Sequence, residues 1–256
     1  MNKVLLISID GMRPDGLKEC GNEYVKEMEK ICSYTYEGSS VFPSVTFPCH
    51  FSMTHSVSPN RHGILTNTYI PQVRPVKGIF EKVNEAGGSC AFFYGWEPLR
   101  DIASAGSLKF ATYVNAYMQE NGDEVLTDEC EKILSLHQPD FAFLYMVETD
   151  EKGGHDNGWM SNEYKKRISL AIDNVKRMID KFGNNYRIII MADHGGHDRS
   201  HGTELKEDMT VPFFFYGKEF EPGKILNNVS LLDIAPTIAK IMHLANEREW
   251  EGKAVF

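Results

Sequence analysis

Short apolar runs recur at residues 4–9, 90–94, 141–147, 187–192 and 211–216, and most of them end in polar residues. Runs of this kind predict strands buried on both faces. Between them lie segments of helical period. The clearest spans residues 163–182, where Ile168, Ala171, Ile172, Val175, Met178 and Ile179 recur at steps of three and four and line one face. Tyr24, Val25, Met28 and Ile31 mark another. Strands alternating with helices predict an α/β fold, a mainly parallel central sheet sandwiched by helices, which binds its ligands beyond the carboxyl ends of the strands.

The chain of 256 residues is 42% hydrophobic and 25% charged, enough for a large core and consistent with one domain over residues 1–256. Residues 96–121, rich in Gly, Ala and aromatics, leave open a small cap over the site or a surface excursion. Residues 67–75 read as an ordered loop. A formal charge of −9 argues against a nucleic acid polymer as partner, because such binders need a clustered basic surface. Bound divalent cations would still reverse the local field inside an acidic cleft. The run after Lys3 is too short for a signal-peptide core, and no stretch approaches the ~20 apolar residues that cross a bilayer, so a soluble protein without a membrane partner is expected. Five cysteines (Cys20, Cys32, Cys49, Cys90 and Cys130) form no CxxC pair, which fits a reducing cytoplasm.

Candidate chemistry collects at three strand ends: Ile9-Asp10-Gly11, residues 148–158, and Ala192-Asp193-His194-Gly195. A carboxylate there must be paired, hydrogen-bonded or metal-bound. Alone, Asp10 reads equally well as a helix cap or turn residue. The glycine-rich stretch 193–202 holds Asp193, His194, His197, Asp198 and His201, the mixture of imidazole and carboxylate that zinc or manganese prefers. His197 and Asp198 also fit as partners that orient ligands, or as turn residues. Asp150, Glu151 and His155 offer a second such group. Thr46 precedes a helix running to about residue 56, where it serves either as an N-cap or as a nucleophile facing an anion, with Ser44 as its rival.

Together these strings resemble the alkaline phosphatase superfamily, most closely its nucleotide pyrophosphatase/phosphodiesterase branch. The matching segments are Ile9-Asp10-Gly11-Met12-Arg13, Phe42-Pro43-Ser44-Val45-Thr46-Phe47-Pro48-Cys49-His50, Asn60-Arg61-His62-Gly63-Ile64 with Asn67, Asp150 with His155, and Asp193-His194-Gly195 with His201, in family order. The resemblance implies one metal on Asp150, His155 and His201 and a second on Asp10, Asp193, His194 and the Thr46 oxygen. Zinc would be the usual ion, with manganese compatible. It further implies a phospho-threonine intermediate on Thr46, with Asn67 and the backbone amide of Phe47 holding a phosphate oxygen.

Three features depart from the family pattern. His155 lies five residues after Asp150 where four is usual, so either the loop carries an extra glycine or Glu151 is the ligand. Cys49 replaces an asparagine, and the chain is short. The C/S-x-P-x-R string of sulfatases is absent, and there is no room for the inserted domain of cofactor-independent phosphoglycerate mutases. The expected activity is hydrolysis of a small-molecule phosphate ester, a diester by motif. Monoester or phosphonate hydrolysis on the same core is the alternative, and a catalytically silent, metal-binding regulatory protein is the rival from another class. Arg13 and Arg61 lie near the motifs as candidate oxygen clamps.

Overall fold

The computed structural model describes residues 1–256, the side chain of Ala105 excepted. The strands are β1 (Lys3–Ile9), β2 (Ser33–Ser39), β3 (Cys90–Tyr94), β4 (Phe110–Tyr113), β5 (Phe141–Met146), β6 (Tyr186–Met191) and β7 (Thr210–Tyr216). They form one seven-stranded sheet in the order β2-β7-β6-β1-β5-β3-β4. β6, β1, β5, β3 and β4 run parallel, while β7 pairs antiparallel with β6 and β2 antiparallel with β7. The expected α/β architecture with a mainly parallel sheet is therefore present. β2 and β4 are the two strands that the apolar runs did not predict. Both lie at sheet edges, where β2 buries only some of its residues and β4 alternates half-buried with exposed ones, so neither needs an apolar run.

The helices are α1 (Pro14–Glu19), α2 (Tyr24–Ile31), α3 (Thr46–His55), α4 (Pro59–His62), α5 (Ile79–Glu85), α6 (Gly122–His137), α7 (Asn162–Phe182), α8 (Lys206–Met209) and α9 (Ile234–Ile241). α1, α2 and α6 pack with α7, and α3, α5 and α9 pack with one another. These two groups cover the faces of β1 and β5, whose residues are buried almost without exception. α7 buries the predicted stripe and is capped by Ser161 Oγ, which accepts from Tyr164 N at 3.1 Å. Part of the stretch left open as a cap is β4, which extends the sheet beyond β3, with Leu99, Ile102 and Ala116 buried around it. Among the described residues, no helix is long and apolar enough to cross a membrane.

Register fixes the site. β1 lies between β5 and β6, with Ile9 opposite Met146 and Ser8 opposite Met191. The chains leaving these three strands therefore emerge side by side, and they carry Asp10, Asp150 and Asp193.

Candidate metal centre

Asp10 directly follows β1 and Asp193 follows β6, each with its carboxylate buried. His194 Nε2 lies 3.2 Å from Asp10 Oδ1 and 3.3 Å from Asp193 Oδ2. His194 Nδ1 donates to the Gly195 carbonyl at 2.8 Å, so the neutral ring turns a bare Nε2 lone pair toward two carboxylate oxygens. What fits between three such acceptors is a cation. Thr46 Oγ1 completes the cluster, 3.2 Å from the same Nε2.

A second cluster adjoins the first. His155 Nε2 is 3.4 Å from Asp150 Oδ2, and His201 Nε2 is 4.0 Å from Asp150 Oδ1. Here too the Nδ1 atoms are occupied by carbonyls, Arg199 at 2.9 Å for His155 and Ser44 at 2.8 Å for His201, which aims both Nε2 atoms at Asp150. Within each trio, Asp10–Asp193–His194 and Asp150–His155–His201, the ligand atoms lie within 4.8 Å of one another. The first trio is buried, whereas the His155 side chain is 34% exposed. The second trio is thus the open side of the site.

The charges carry the same message. Burial, then repulsion from Asp193 and Asp150, pushes the Asp10 carboxyl well above its ordinary range, and burial with Asp150 pushes Asp193 up to about 8. Burial drives the His194 imidazole well below its usual value, with His201 adding to the effect. Burial would also raise Asp150, but the hydrogen bond from His155 and the imidazoles of His194 and His201 outweigh it and hold that carboxyl low. His155 is raised in return to about 9, chiefly by its hydrogen bond to Asp150. Carboxylates crowded in this way repel one another until dications enter.

Two family models match the chain. One, described as type I phosphodiesterase / nucleotide pyrophosphatase, covers residues 4–120, and the other, described as metalloenzyme superfamily, covers residues 86–246, well over half of the length. The chain belongs to the alkaline phosphatase superfamily of metalloenzymes. By sequence it is similar to human ectonucleotide pyrophosphatase/phosphodiesterase family member 1, 28% identical over an alignment of 220 residues that covers 75% of this chain and 23% of that protein. It is likewise 23% identical to human bis(5'-adenosyl)-triphosphatase ENPP4, over 98% of this chain and 57% of that one. The chain thus spans about a quarter to a little over half of the length of these relatives. In structure it resembles an inactive form of murine ectonucleotide pyrophosphatase/phosphodiesterase 5 in complex with AMP, with a TM-score of 0.81, 16% identity and 98% of both chains covered. It also resembles the phosphonate monoester hydrolase of Silicibacter pomeroyi, with a TM-score of 0.73, 15% identity, and all of this chain and 76% of that one covered. At such identities the likeness concerns the fold alone.

For a member of this metalloenzyme superfamily the donor set fits cations closely. Among the described residues, the buried side-chain atoms with no hydrogen-bond partner include Asp10 Oδ1, Asp150 Oδ1 and Asp193 Oδ2, at least one oxygen from each cluster. Unsatisfied buried carboxylate oxygens are costly unless an ion takes them up.

Other sequence candidates fall outside the two trios. Ser44 donates to the Thr203 carbonyl at 2.8 Å, His197 Nδ1 pairs with Asp208 Oδ1 at 2.7 Å, and Asp198 is exposed. Glu151 accepts from Tyr117 Oη at 3.3 Å, so Asp150, not Glu151, sits with the histidines. The five-residue spacing is absorbed by a π-helical turn over Thr149–His155, in which residues i and i+5 share a face. Thr46 is not a cap either: it is the first helical residue of α3, and Val45 is the N-cap. Asn67 Oδ1 accepts from Phe47 N at 3.0 Å. Cys49 is buried with Sγ 3.3 Å from Ser40 Oγ, which in turn donates to the Asp193 carbonyl at 2.5 Å.

Several supporting groups escaped the sequence reading. Tyr145 Oη donates to Asp10 Oδ2 from within β5. The signal was a phenol inside a fully buried strand, which needs a partner for its hydroxyl. His50 Nδ1 donates to the Thr46 carbonyl at 2.8 Å and lies 3.3 Å from Asp193 Oδ2. Trp159 Nε1 and Tyr164 Oη both donate to the Gly11 carbonyl, at 3.0 and 2.8 Å. No local pattern marks these contacts, because each joins segments far apart in the chain.

Proposed function

We propose that this chain hydrolyses phosphate diesters by in-line displacement at Thr46, with two divalent cations held by Asp10, Asp193, His194 and Thr46 on one side and by Asp150, His155 and His201 on the other. The observation that carries the reading is the Thr46 hydroxyl, set 3.2 Å from His194 Nε2 at the start of α3 beside buried carboxylate oxygens that lack partners. When bound, the cations would lower the pKa of this hydroxyl and offset the charge that builds on the phosphoryl and leaving oxygens.

Thr46 Oγ1 attacks phosphorus, a new O–P bond forms, and the bond from phosphorus to the departing alcohol breaks. The Phe47 amide donates to Asn67 Oδ1 in the absence of substrate; an arriving phosphate oxygen would replace that acceptor, leaving the amide and Asn67 Nδ2 as two donors at one corner, where the helix N-terminus also favours an anion. They hold a non-bridging oxygen. The phospho-threonine is then opened by water arriving from the exposed side formed by His155 and His201, and Thr46 Oγ1 leaves.

The diester preference has its own support. A monoester would present a third charged oxygen, for which a guanidinium is the usual partner. Arg61 is engaged by Glu249 at 2.6 Å and by the Arg74 carbonyl, and Arg13 by Asp15 and the Gly196 carbonyl. Both clamps considered from sequence are thus committed elsewhere.

The test is an assay of nitrophenyl phosphate monoesters and diesters with and without chelator, on the wild type and on Thr46→Ala. Diester cleavage that needs metal and collapses in the variant is expected. Equal turnover by Thr46→Ala would overturn the nucleophile, and no turnover from a fully metal-loaded wild type would favour the metal-binding regulatory protein.

A further inference from the structure

The segment that carries Asp150 and His155 leaves β5 through a brace of two buried carboxylates. Asp123, in the first turn of α6, accepts from Val147 N at 2.9 Å with Oδ1 and from Glu148 N at 3.0 Å with Oδ2. Glu148 answers in the opposite sense, with Oε1 accepting from Gly122 N, the first amide of α6, at 2.7 Å. The two residues are 3% and 5% exposed, so these bonds exchange little with water. Each carboxylate therefore satisfies backbone donors of the other's segment. The buried charge on Glu148 is met by Lys152 Nζ at 2.5 Å and by Arg167 Nη1 at 3.4 Å, the latter reaching from α7. Lys152 itself belongs to the π-helical turn and also donates to the Gln119 carbonyl at 2.5 Å.

The brace thus ties the start of the turn to α6 through Val147 N and Glu148 N, and the turn's own Lys152 to Glu148. At Asp150 itself, a Cβ on Gly11 would stand 2.7 Å from Oδ1 and 3.2 Å from Cα. The chain thus passes against Gly11 at a distance that only glycine allows. A shift of about an ångström would break the convergence of Asp150 with His155 and His201.

We propose that Asp123 and Glu148 are positioning residues that set the geometry, and hence the metal affinity, of the Asp150–His155–His201 half-site without touching the ion. The inference rests on the two-metal reading above. It assigns the two half-sites different sensitivities, because Tyr145, His50 and Ser40 hold the Asp10–Asp193–His194 trio, whereas Asp123 bonds to the segment that leads to Asp150.

The experiment is a zinc titration of metal-free protein, followed by calorimetry and by metal content after desalting, on wild type, Asp123→Asn and Glu148→Gln. Asp123→Asn removes an acceptor from one of two amides. Glu148→Gln retains the amide acceptor and loses the charge that Lys152 and Arg167 face. The expected result is one ion bound as in wild type and one weakened by about 10- to 100-fold. Diester turnover in Asp123→Asn should be low at limiting zinc and should recover at saturating zinc. Two ions bound with wild-type affinity, alongside a lower melting temperature, would reduce the brace to a helix cap and overturn the proposal. Equal weakening of both ions would overturn it as well. A wild type that binds no zinc would instead sink the two-metal reading itself. Should Asp123→Asn fail to fold, Lys152→Met supplies the same comparison from the edge of the brace.

Discussion

The imidazoles of His194 and His201 stack at 3.9 Å between centroids with their planes 12° apart, although they belong to different trios. Each ring packs against the other, so on the two-metal reading the spacing of the two proposed half-sites depends on one aromatic contact. His201→Ala should empty the Asp150 side and also weaken the Asp10 side, by about 10-fold through loss of the partner that orients His194. His155→Ala, whose ring meets His201 but not His194, should affect the Asp150 side alone. Competitive chelator titrations of the two variants measure the contrast.

Metal uptake should depend on pH with a definite sign. Without metal, His155 is raised to about 9 by Asp150 and Asp193 is raised to about 8 by burial and Asp150, so both hold protons that an ion must displace. Affinity should therefore climb from pH 6 to pH 9 and level off above. For His155 the raised value also means a contribution to the stability of the metal-free fold that is complete below about 6.5 and fades as pH rises through about 9. The drop in melting temperature on adding chelator should be larger at pH 9 than at pH 6. A drop that shrinks with pH would contradict the assignment.

Thr46→Ala should lower diester turnover by on the order of 10³-fold or more while leaving the melting temperature within a degree or two. The second half of the expectation follows from position, because the hydroxyl caps no helix and Val45 supplies the N-cap. Thr46→Ser should retain measurable turnover, and trapping of phosphorylated protein by acid quench would identify the acceptor.

Gly11→Ala should damage both stability and metal binding. Gly11 has φ near +64°, which costs a non-glycine residue roughly 1–2 kcal/mol, and the new methyl would collide with Asp150. Denaturant midpoints in the absence and presence of zinc separate the two effects, since the collision should diminish the stabilisation that zinc provides.

Acid should unfold the protein through its buried histidines. Burial lowers His55 and His62 to about 4, and His62 accepts from Ile64 N at Nδ1 and lies 2.9 Å from Ser52 Oγ at Nε2. A depressed histidine supports the fold fully above about 6.5 and loses that support as pH falls toward 4. Stability should therefore decline between pH 6.5 and 4, and His55→Phe, whose ring would keep the 3.8 Å stack on Phe51, should flatten that slope. An unchanged slope in urea titrations would count against it.

The legibility of the site follows from where its information sits in the chain. Asp10, Asp150 and Asp193 could be found because each stands at or shortly after the polar end of an apolar run, a local pattern that survives without knowledge of neighbours. The apolar runs likewise exposed β1, β3, β5, β6 and β7, whose burial on both faces demands continuous hydrophobicity. β2 and β4 lack that demand at the sheet edges and escaped. The choice between Asp150 and Glu151 was open in sequence, since adjacent carboxylates look alike until the turn is known; the π-helical turn Thr149–His155 sets Asp150, and not Glu151, beside His155 and His201.

Sequence by itself determined the strand-helix alternation, the three acidic strand ends and the threonine at the head of α3, because these depend on residue type and short spacing. Only the tertiary structure decided that Tyr145 holds Asp10, that Asp123 and Glu148 brace the Asp150 turn, and that His194 lies flat against His201. The physical reason is that such contacts are set by the order in which strands pair. β1 enters between β5 and β6, and no local period encodes which strand will be the neighbour of which.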